Sequence, residues 1–164
     1  MSAVTIRRAR LEDHDVLCRL YWEFHEFHAR DLSDRVRSLG KLEDQDWTRL
    51  RGELTKIIER DDAAIFVAEM DGIIIGLAEV YVRQAEVNPQ VVDCAHGYLQ
   101  SLYVMTTMRR RGLGRQLVAV VEQWLKDKGA SEVRLSAWAF VNGPQFFYER
   151  IGYRVLKVEM ARSL

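Results

Sequence analysis

Residues 102–118 read LYVMTTMRRRGLGRQLV, and they join two elements of different periodicity. The segment begins with a β-branched and aromatic run, which predicts a strand. A basic turn containing Gly112 and Gly114 follows. Apolar residues then recur at every fourth position, which predicts an amphipathic helix. The recurring residues are Leu113, Leu117, Val121 and Leu125.

The turn between this strand and this helix has the chemistry of a phosphate site. Glycines let a ligand approach the backbone closely, and a helix N-terminus presents unpaired N–H groups and a partial positive charge. Arginines add forked, charged donors. The arginines of the turn are Arg109, Arg110, Arg111 and Arg115. We predict that the turn holds a phosphorylated cofactor; an ordinary basic surface turn or a nucleic-acid patch is the alternative.

The spacing Arg109-x-x-Gly112-x-Gly114 is neither a Walker loop nor a dinucleotide G-x-G-x-x-G. It resembles the R-x-x-G-x-G/A signature of the GNAT superfamily of acyl-CoA N-acyltransferases. The resemblance implies that the backbone amides of the turn, including that of Leu113, wrap the pyrophosphate of acetyl-CoA. It further implies that pantetheine lies beside the preceding strand, at Leu102, Tyr103 and Val104.

A second segment, NGPQFFYERIGY over residues 142–153, resembles the F-Y-E-x-x-G-F/Y segment of the same family. Pro144 in the first turn and Gly152 at the end predict a short helix, with Asn142 as its cap and as a candidate cofactor contact. The resemblance places Tyr148 at the catalytic tyrosine, which assists departure of the CoA sulfur. The alternative is that Tyr148 only packs this helix.

The composition predicts one ordinary globular domain over residues 1–164. The 24 basic and 24 acidic residues balance, which argues against a nucleic-acid partner. No signal peptide or membrane span is found, and Cys18 and Cys94 lack a paired spacing, so we predict a cytoplasmic protein. His25-x-x-His28 lacks the third ligand of a metal site, so no metal is expected.

Hydrophobic periodicity along the chain predicts the order β-α-α-β-β-β-α-β-α-β. This order matches the GNAT fold, an α/β (α+β) fold with a mixed, mostly antiparallel central sheet, a splayed parallel strand pair and flanking helices. The predicted strands are 4–7, 63–70, 73–83, 98–104, 133–137 and 155–160.

The resemblance implies an N-acetyltransferase that moves the acetyl group of acetyl-CoA to an amine, with Tyr148 as a catalytic residue. Family members often carry a basic carboxylate on the strand before the turn, but residues 97–104 have none. Glu79 on the neighbouring strand is the candidate base; a water-relayed base or a solvent-facing Glu79 is the alternative. Loss of the base leaves open a non-catalytic acyl-CoA-binding regulatory module.

The acceptor stays open between a small cationic amine, such as an aminoglycoside or a polyamine, and a peptide or protein amine. Acidic residues on the first predicted helix, Glu23, Glu26 and Asp31, either surround a cationic amine or form a solvated face. A homodimer is also left open.

Overall fold

The structure is a computed structural model that describes residues 3–90, 92–141 and 143–164. Within these ranges the chain forms five strands and four α-helices, with short 3-10 turns before some of them. In chain order the elements are β1 (Val4–Arg8), α1 (His14–Asp31), α2 (Thr48–Glu59), β2 (Ala63–Met70), β3 (Ile73–Arg83), β4 (His96–Val104), α3 (Leu113–Asp127), β5 (Glu132–Arg134) and α4 (Gln145–Arg150).

The strands form one sheet in the order β1-β2-β3-β4-β5. The first four strands are antiparallel, and β4 and β5 form the single parallel pair. The β2–β3 hairpin turns through Asp71 and Gly72, whose φ angles of 52° and 77° suit the left-handed two-residue turn that matches strand twist. The mixed sheet with a parallel pair confirms the predicted fold class.

The parallel pair of β4 and β5 is short, so the two strands separate beyond it. Only residues 96–98 of β4 pair with β5, at residues 132–134. Across the described ranges, residues 99–104 of β4 have no strand partner on the β5 side. The two strands therefore separate toward the end of β4 that leads into the basic turn.

Helices cover the sheet on both faces. On one face, which we call the α3 face, α3 packs against apolar side chains of β2, β3 and β4, such as Phe66, Val80 and Leu99. On the other face, which we call the α1 face, α1 and α2 bury Ile65 and Leu77 of the sheet. Each large apolar side chain removed from water contributes about 1.5–3 kcal/mol, so these two layers hold the strands that carry the site.

The largest errors in the predicted strands are in the last two. The strand predicted at 133–137 ends at Arg134, where its pairing with β4 stops. The strand predicted at 155–160 is not formed, and its apolar residues Val155, Val158 and Met160 are exposed. A strand is stable only beside a neighbour, and no described strand pairs with this segment.

Within the described part of the chain, no helix combines the length and the apolar character needed to cross a membrane.

Candidate active site

The basic turn adopts a backbone conformation that exposes its amides. Arg110 and Gly112 both have left-handed backbone angles, with φ of 62° and 77°. The helix α3 starts directly after Gly112, and its first helical hydrogen bond runs from the Gln116 N–H to the Gly112 carbonyl at 3.1 Å. The N–H groups of residues 113–115 therefore have no acceptor within the helix, and no side chain caps them.

The arginines of the turn divide into two groups. Arg110, Arg111 and Arg115 are exposed and form no ion pair with a described residue. Free amides at a helix N-terminus beside unpaired guanidinium groups fit the pyrophosphate of CoA. The donors and charges of the turn are therefore compatible with the predicted cofactor.

Arg109 points in a different direction from its neighbours. Its Nε donates to the Val104 carbonyl at 2.9 Å, and its guanidinium lies 4.4 Å from the centre of the Phe27 ring on α1. A second ring, that of Tyr103, lies 5.4 Å away. Arg109 thus connects α1 to the end of β4. The sequence predicted a cofactor contact for this side chain, and that contact stays a prediction.

The two sequence motifs meet where α3 begins. A Cβ on Gly114 would lie 3.2 Å from the Phe147 ring, so glycine lets α4 pack closely against the first turn of α3. This contact places Tyr148, the next residue of α4, on the same side of the sheet as the basic turn.

The open edge of β4 presents backbone groups to the gap beside β5. The Met105 N–H donates to the Ile75 carbonyl at 2.9 Å, which fixes the alternation of the β3–β4 ladder. By this alternation the N–H and C=O groups of Leu102 and Val104 point away from β3. Their side chains pack on the α3 face, whereas the buried Tyr103 ring packs on the α1 face. An extended ligand chain can therefore pair with Leu102 and with the Val104 N–H, since the Val104 carbonyl already accepts from Arg109.

Tyr148 has a free hydroxyl in a largely apolar setting. Its ring is half-buried and packs edge-on against Phe147 and Tyr153, with ring centres 5.1 and 5.6 Å away. Burial raises the pKa of Tyr148 well above its usual value, so the phenol keeps its proton at neutral pH. No described residue forms a hydrogen bond with the Tyr148 hydroxyl, whereas the Tyr153 hydroxyl donates to Glu122 at 3.0 Å.

Glu79 is a buried carboxylate on the α1 face of β3. Three hydroxyls donate to it, from Tyr21 at 2.6 Å, Tyr81 at 2.5 Å and Ser101 at 3.1 Å. Burial, together with the adjacent Glu79, raises the pKa of Tyr21 and Tyr81, so both hydroxyls remain donors at neutral pH. A bulge in β4 at Gln100 brings Ser101 opposite Glu79. Glu79 is therefore a fixed acceptor and not a solvent-facing side chain.

A cavity of about 500 Å³ opens beside Glu79 on the same face of the sheet. Its lining combines one carboxylate with hydroxyl, amide and guanidinium groups. The lining residues are Arg60, Glu79, Tyr81, Val82, Arg83, Gln100 and Ser101. This cavity, which we call the β3–β4 cavity, has the size of a small-molecule site.

Sequence reasoning missed the hydroxyl partners of Glu79. Tyr81 could have been found, because it lies two residues after Glu79 and strand alternation puts both side chains on one face. The contacts of Ser101 and Tyr21 depend on the β4 bulge and on how α1 crosses the sheet, so the sequence pattern gave no signal for them.

Two other sequence features contribute less. Asn142 lies outside the described residues, so its predicted cofactor contact stays a prediction. His25 Nε2 contacts the Arg37 carbonyl at 2.7 Å, and His28 Nδ1 contacts the Phe24 carbonyl at 3.0 Å. Among the residues that the structure describes, no group of three or more candidate ligands could hold a metal ion.

Comparison with known proteins identifies the family. The Acetyltransferase (GNAT) family matches residues 15–153, and the chain belongs to it. Aminoglycoside N(6')-acetyltransferase type 1 of Salmonella enteritidis is 29% identical over 114 residues, which cover 60% of this chain and 76% of that protein.

Solved structures agree with the fold. A tetramutant of the BH1408 protein from Bacillus halodurans superposes with a TM-score of 0.85 at 20% identity, covering 98% of this chain and 99% of that one. Aminoglycoside N-acetyltransferase AAC(6')-Iy in complex with CoA gives a TM-score of 0.77 at 21% identity, covering 99% and 96%. Family membership confirms the predicted enzyme class, an acyl-CoA-dependent N-acetyltransferase with acetyl-CoA as co-substrate.

Proposed function

We propose that the chain transfers the acetyl group of acetyl-CoA to a primary amine by direct attack within a ternary complex. One observation carries the proposal: a free, protonated phenol, Tyr148, packs on the α3 face of the sheet, and a buried carboxylate, Glu79, lies on the α1 face of β3 beside β4. These groups supply the acid and the base that such a reaction needs, from opposite faces of the sheet.

The cofactor lies along the path that the backbone leaves open. The amides of residues 113–115, with Arg110, Arg111 and Arg115, hold the pyrophosphate. Leu102 pairs with the pantetheine amides through its outward-facing backbone groups, and the Val104 N–H is left for the thioester, because Arg109 already donates to the Val104 carbonyl. When bound there, acetyl-CoA supplies an activated acetyl thioester and a thiol leaving group.

Proton movements follow from the two side chains. An amine with the pKa of lysine arrives as an ammonium and must lose a proton before it attacks. A carboxylate offers about four lone-pair positions, and three hydroxyls fill three of them on Glu79, so one remains for the ammonium. The Val104 N–H donates to the carbonyl oxygen as negative charge develops on it. The C–N bond forms as the nitrogen loses its second proton to solvent, the C–S bond breaks, and Tyr148 gives its proton to the sulfur and regains one from solvent.

The acceptor is a small amine that reaches Glu79 through the β3–β4 cavity. The relatives support testing aminoglycosides first, because those at about 29% identity carry aminoglycoside acetylation in their names. Polyamines and peptide amines are the other two classes to compare.

The test is acetyl-CoA consumption with a panel of amines, for the wild type and for Glu79→Gln. We expect Glu79→Gln to lower kcat by roughly 10²–10⁴-fold while acetyl-CoA affinity stays unchanged. The matched control is Glu122→Gln, which alters another carboxylate that accepts a tyrosine hydroxyl, away from the α1 face. Tight acetyl-CoA binding without turnover on any amine would support the non-catalytic module instead.

Two broader predictions accompany this proposal. A cytoplasmic location is consistent with Cys18 and Cys94, both of which are free thiols in the structure. The homodimer stays a prediction.

A further inference from the structure

Glu79 and Arg83, two of the residues that line the β3–β4 cavity, carry opposite charges and form no ion pair with a described residue. Glu79 receives three hydroxyl donors, but no described lysine or arginine pairs with it. Arg83 forms no ion pair within the described ranges, and its guanidinium lies 3.6 Å from the centre of the Tyr98 ring. The other guanidinium of the cavity, that of Arg60, already makes two bonds to Asp62, at 2.7 and 2.8 Å.

The Arg83 guanidinium stacks on the Tyr98 ring and can still bind an anion. A guanidinium that stacks on an aromatic ring keeps its N–H donors in the plane of the group, where they can make a forked contact with a carboxylate. The Tyr98 ring is held in turn, because its hydroxyl donates to Ser136 at 3.0 Å. Arg83 is exposed at the end of β3, so an acceptor molecule can reach it.

The spacing of the two charges suits one small molecule. Glu79 and Arg83 are four residues apart on β3, so both side chains point to the α1 face and their Cα atoms are about 13 Å apart by strand rise. The long arginine side chain shortens this span at its tip. An amine and a carboxylate separated by several bonds, as in lysine or a dipeptide, match two such charges.

Two carboxylates of α1, Glu23 and Glu26, are already engaged within the fold. Glu26 accepts from the Ser38 hydroxyl at 2.8 Å and from the Leu39 N–H at 2.6 Å, which fixes the segment after α1. Glu23 accepts from the Tyr103 hydroxyl at 3.1 Å and pairs with Arg19. The β3–β4 cavity itself offers one carboxylate against two guanidinium groups.

We infer that the acceptor is an amine that also carries a carboxylate, such as an amino acid or a short peptide, with its amine at Glu79 and its carboxylate at Arg83. This inference rests on the proposed function, since it names the acceptor class of that same site. Arg83 selects the substrate, and Glu79 takes the proton.

The test compares acceptors that differ only in the carboxylate: lysine against lysine amide, and a dipeptide against its C-terminal amide. Wild type should show a kcat/KM about tenfold or more higher for the carboxylate forms, chiefly through KM. Arg83→Gln should abolish that preference, chiefly by raising KM for the carboxylate forms toward the KM of their amides. Arg83→Lys should keep part of it, and Lys56→Gln on the exposed face of α2 should keep all of it.

Several results would overturn the inference. Equal kcat/KM for the acid and amide forms would do so, as would a preference that survives in Arg83→Gln. An aminoglycoside acetylated faster than every carboxylated amine would remove the inference and leave the proposed acetyl transfer standing. No acetylation of any amine would contradict both. Equilibrium binding of the dipeptide and its amide to the CoA-loaded protein gives the same comparison without turnover.

Discussion

Gly112→Ala tests whether the basic turn binds the cofactor. The substitution should lower both the stability of the fold and the affinity for acetyl-CoA, and the two effects can be measured separately. A Cβ at Gly112 would meet only the Gln116 side chain, at 4.0 Å, so it points into open space on the side of the turn assigned to the pyrophosphate. The φ of 77° makes any L-residue there unfavourable, by about 1–2 kcal/mol. A methyl group between the amides and a phosphate should cost at least as much again in binding.

The chain offers a matched control in Gly72, which has the same φ of 77° and nothing within 4 Å of its added Cβ, but lies in the β2–β3 turn. We expect Gly112→Ala and Gly72→Ala to lower the free energy of unfolding by similar amounts, about 1–2 kcal/mol each. Only Gly112→Ala should weaken acetyl-CoA binding, by about tenfold or more in calorimetric titration. Equal affinities in the two folded variants would remove the turn from the cofactor site.

Tyr148→Phe should lower kcat by roughly 10- to 100-fold with little change in acetyl-CoA affinity, since it removes the proton donor and keeps the ring. Tyr153→Phe should keep full kcat, and an unchanged kcat in Tyr148→Phe would show that the sulfur leaves unaided. Arg109→Ala should weaken acetyl-CoA binding less than Gly112→Ala in the same titration, because Arg109 is already bonded to β4; an equal or larger loss would show that it contacts the phosphates. The Arg7 guanidinium lowers the pKa of Asp13 below its usual value of about 3.9, so the pair stabilises the fold above that pH and loses its contribution as the pH falls through the folded-state pKa. Urea unfolding of Asp13→Asn from about pH 6 downward should therefore show a flatter loss of stability than wild type, and identical slopes would contradict this.

Local signals in the sequence were enough to predict most of the fold. The Asp71-Gly72 pair specifies its own turn, and the four-residue repeat after Gly112 specifies the buried face of α3. These features depend on neighbouring residues alone. The strand expected at 155–160 failed because pairing depends on a partner elsewhere in the sheet, which alternation along a segment does not reveal.

The candidate site also has features that the sequence could predict and features that it could not. The glycines and arginines of the turn could be read from the sequence, since one short segment contains them all. The environment of Glu79 could not, because its donors come from α1, β3 and β4 and meet only through the β4 bulge. The direction of Arg109 also depends on a long-range contact, the Phe27 ring of α1.

The central claim is acetyl transfer from acetyl-CoA to an amine in a ternary complex, and mass spectrometry of the acceptor and the intact protein tests it most directly. The protein is incubated with acetyl-CoA labelled in the acetyl group, with and without a panel of amines. We predict that the label appears on an amine, that CoA is released only when an amine is present, and that the protein itself carries no acetyl group. Label on the protein before the amine is added, or CoA release that no amine accelerates, would contradict the account.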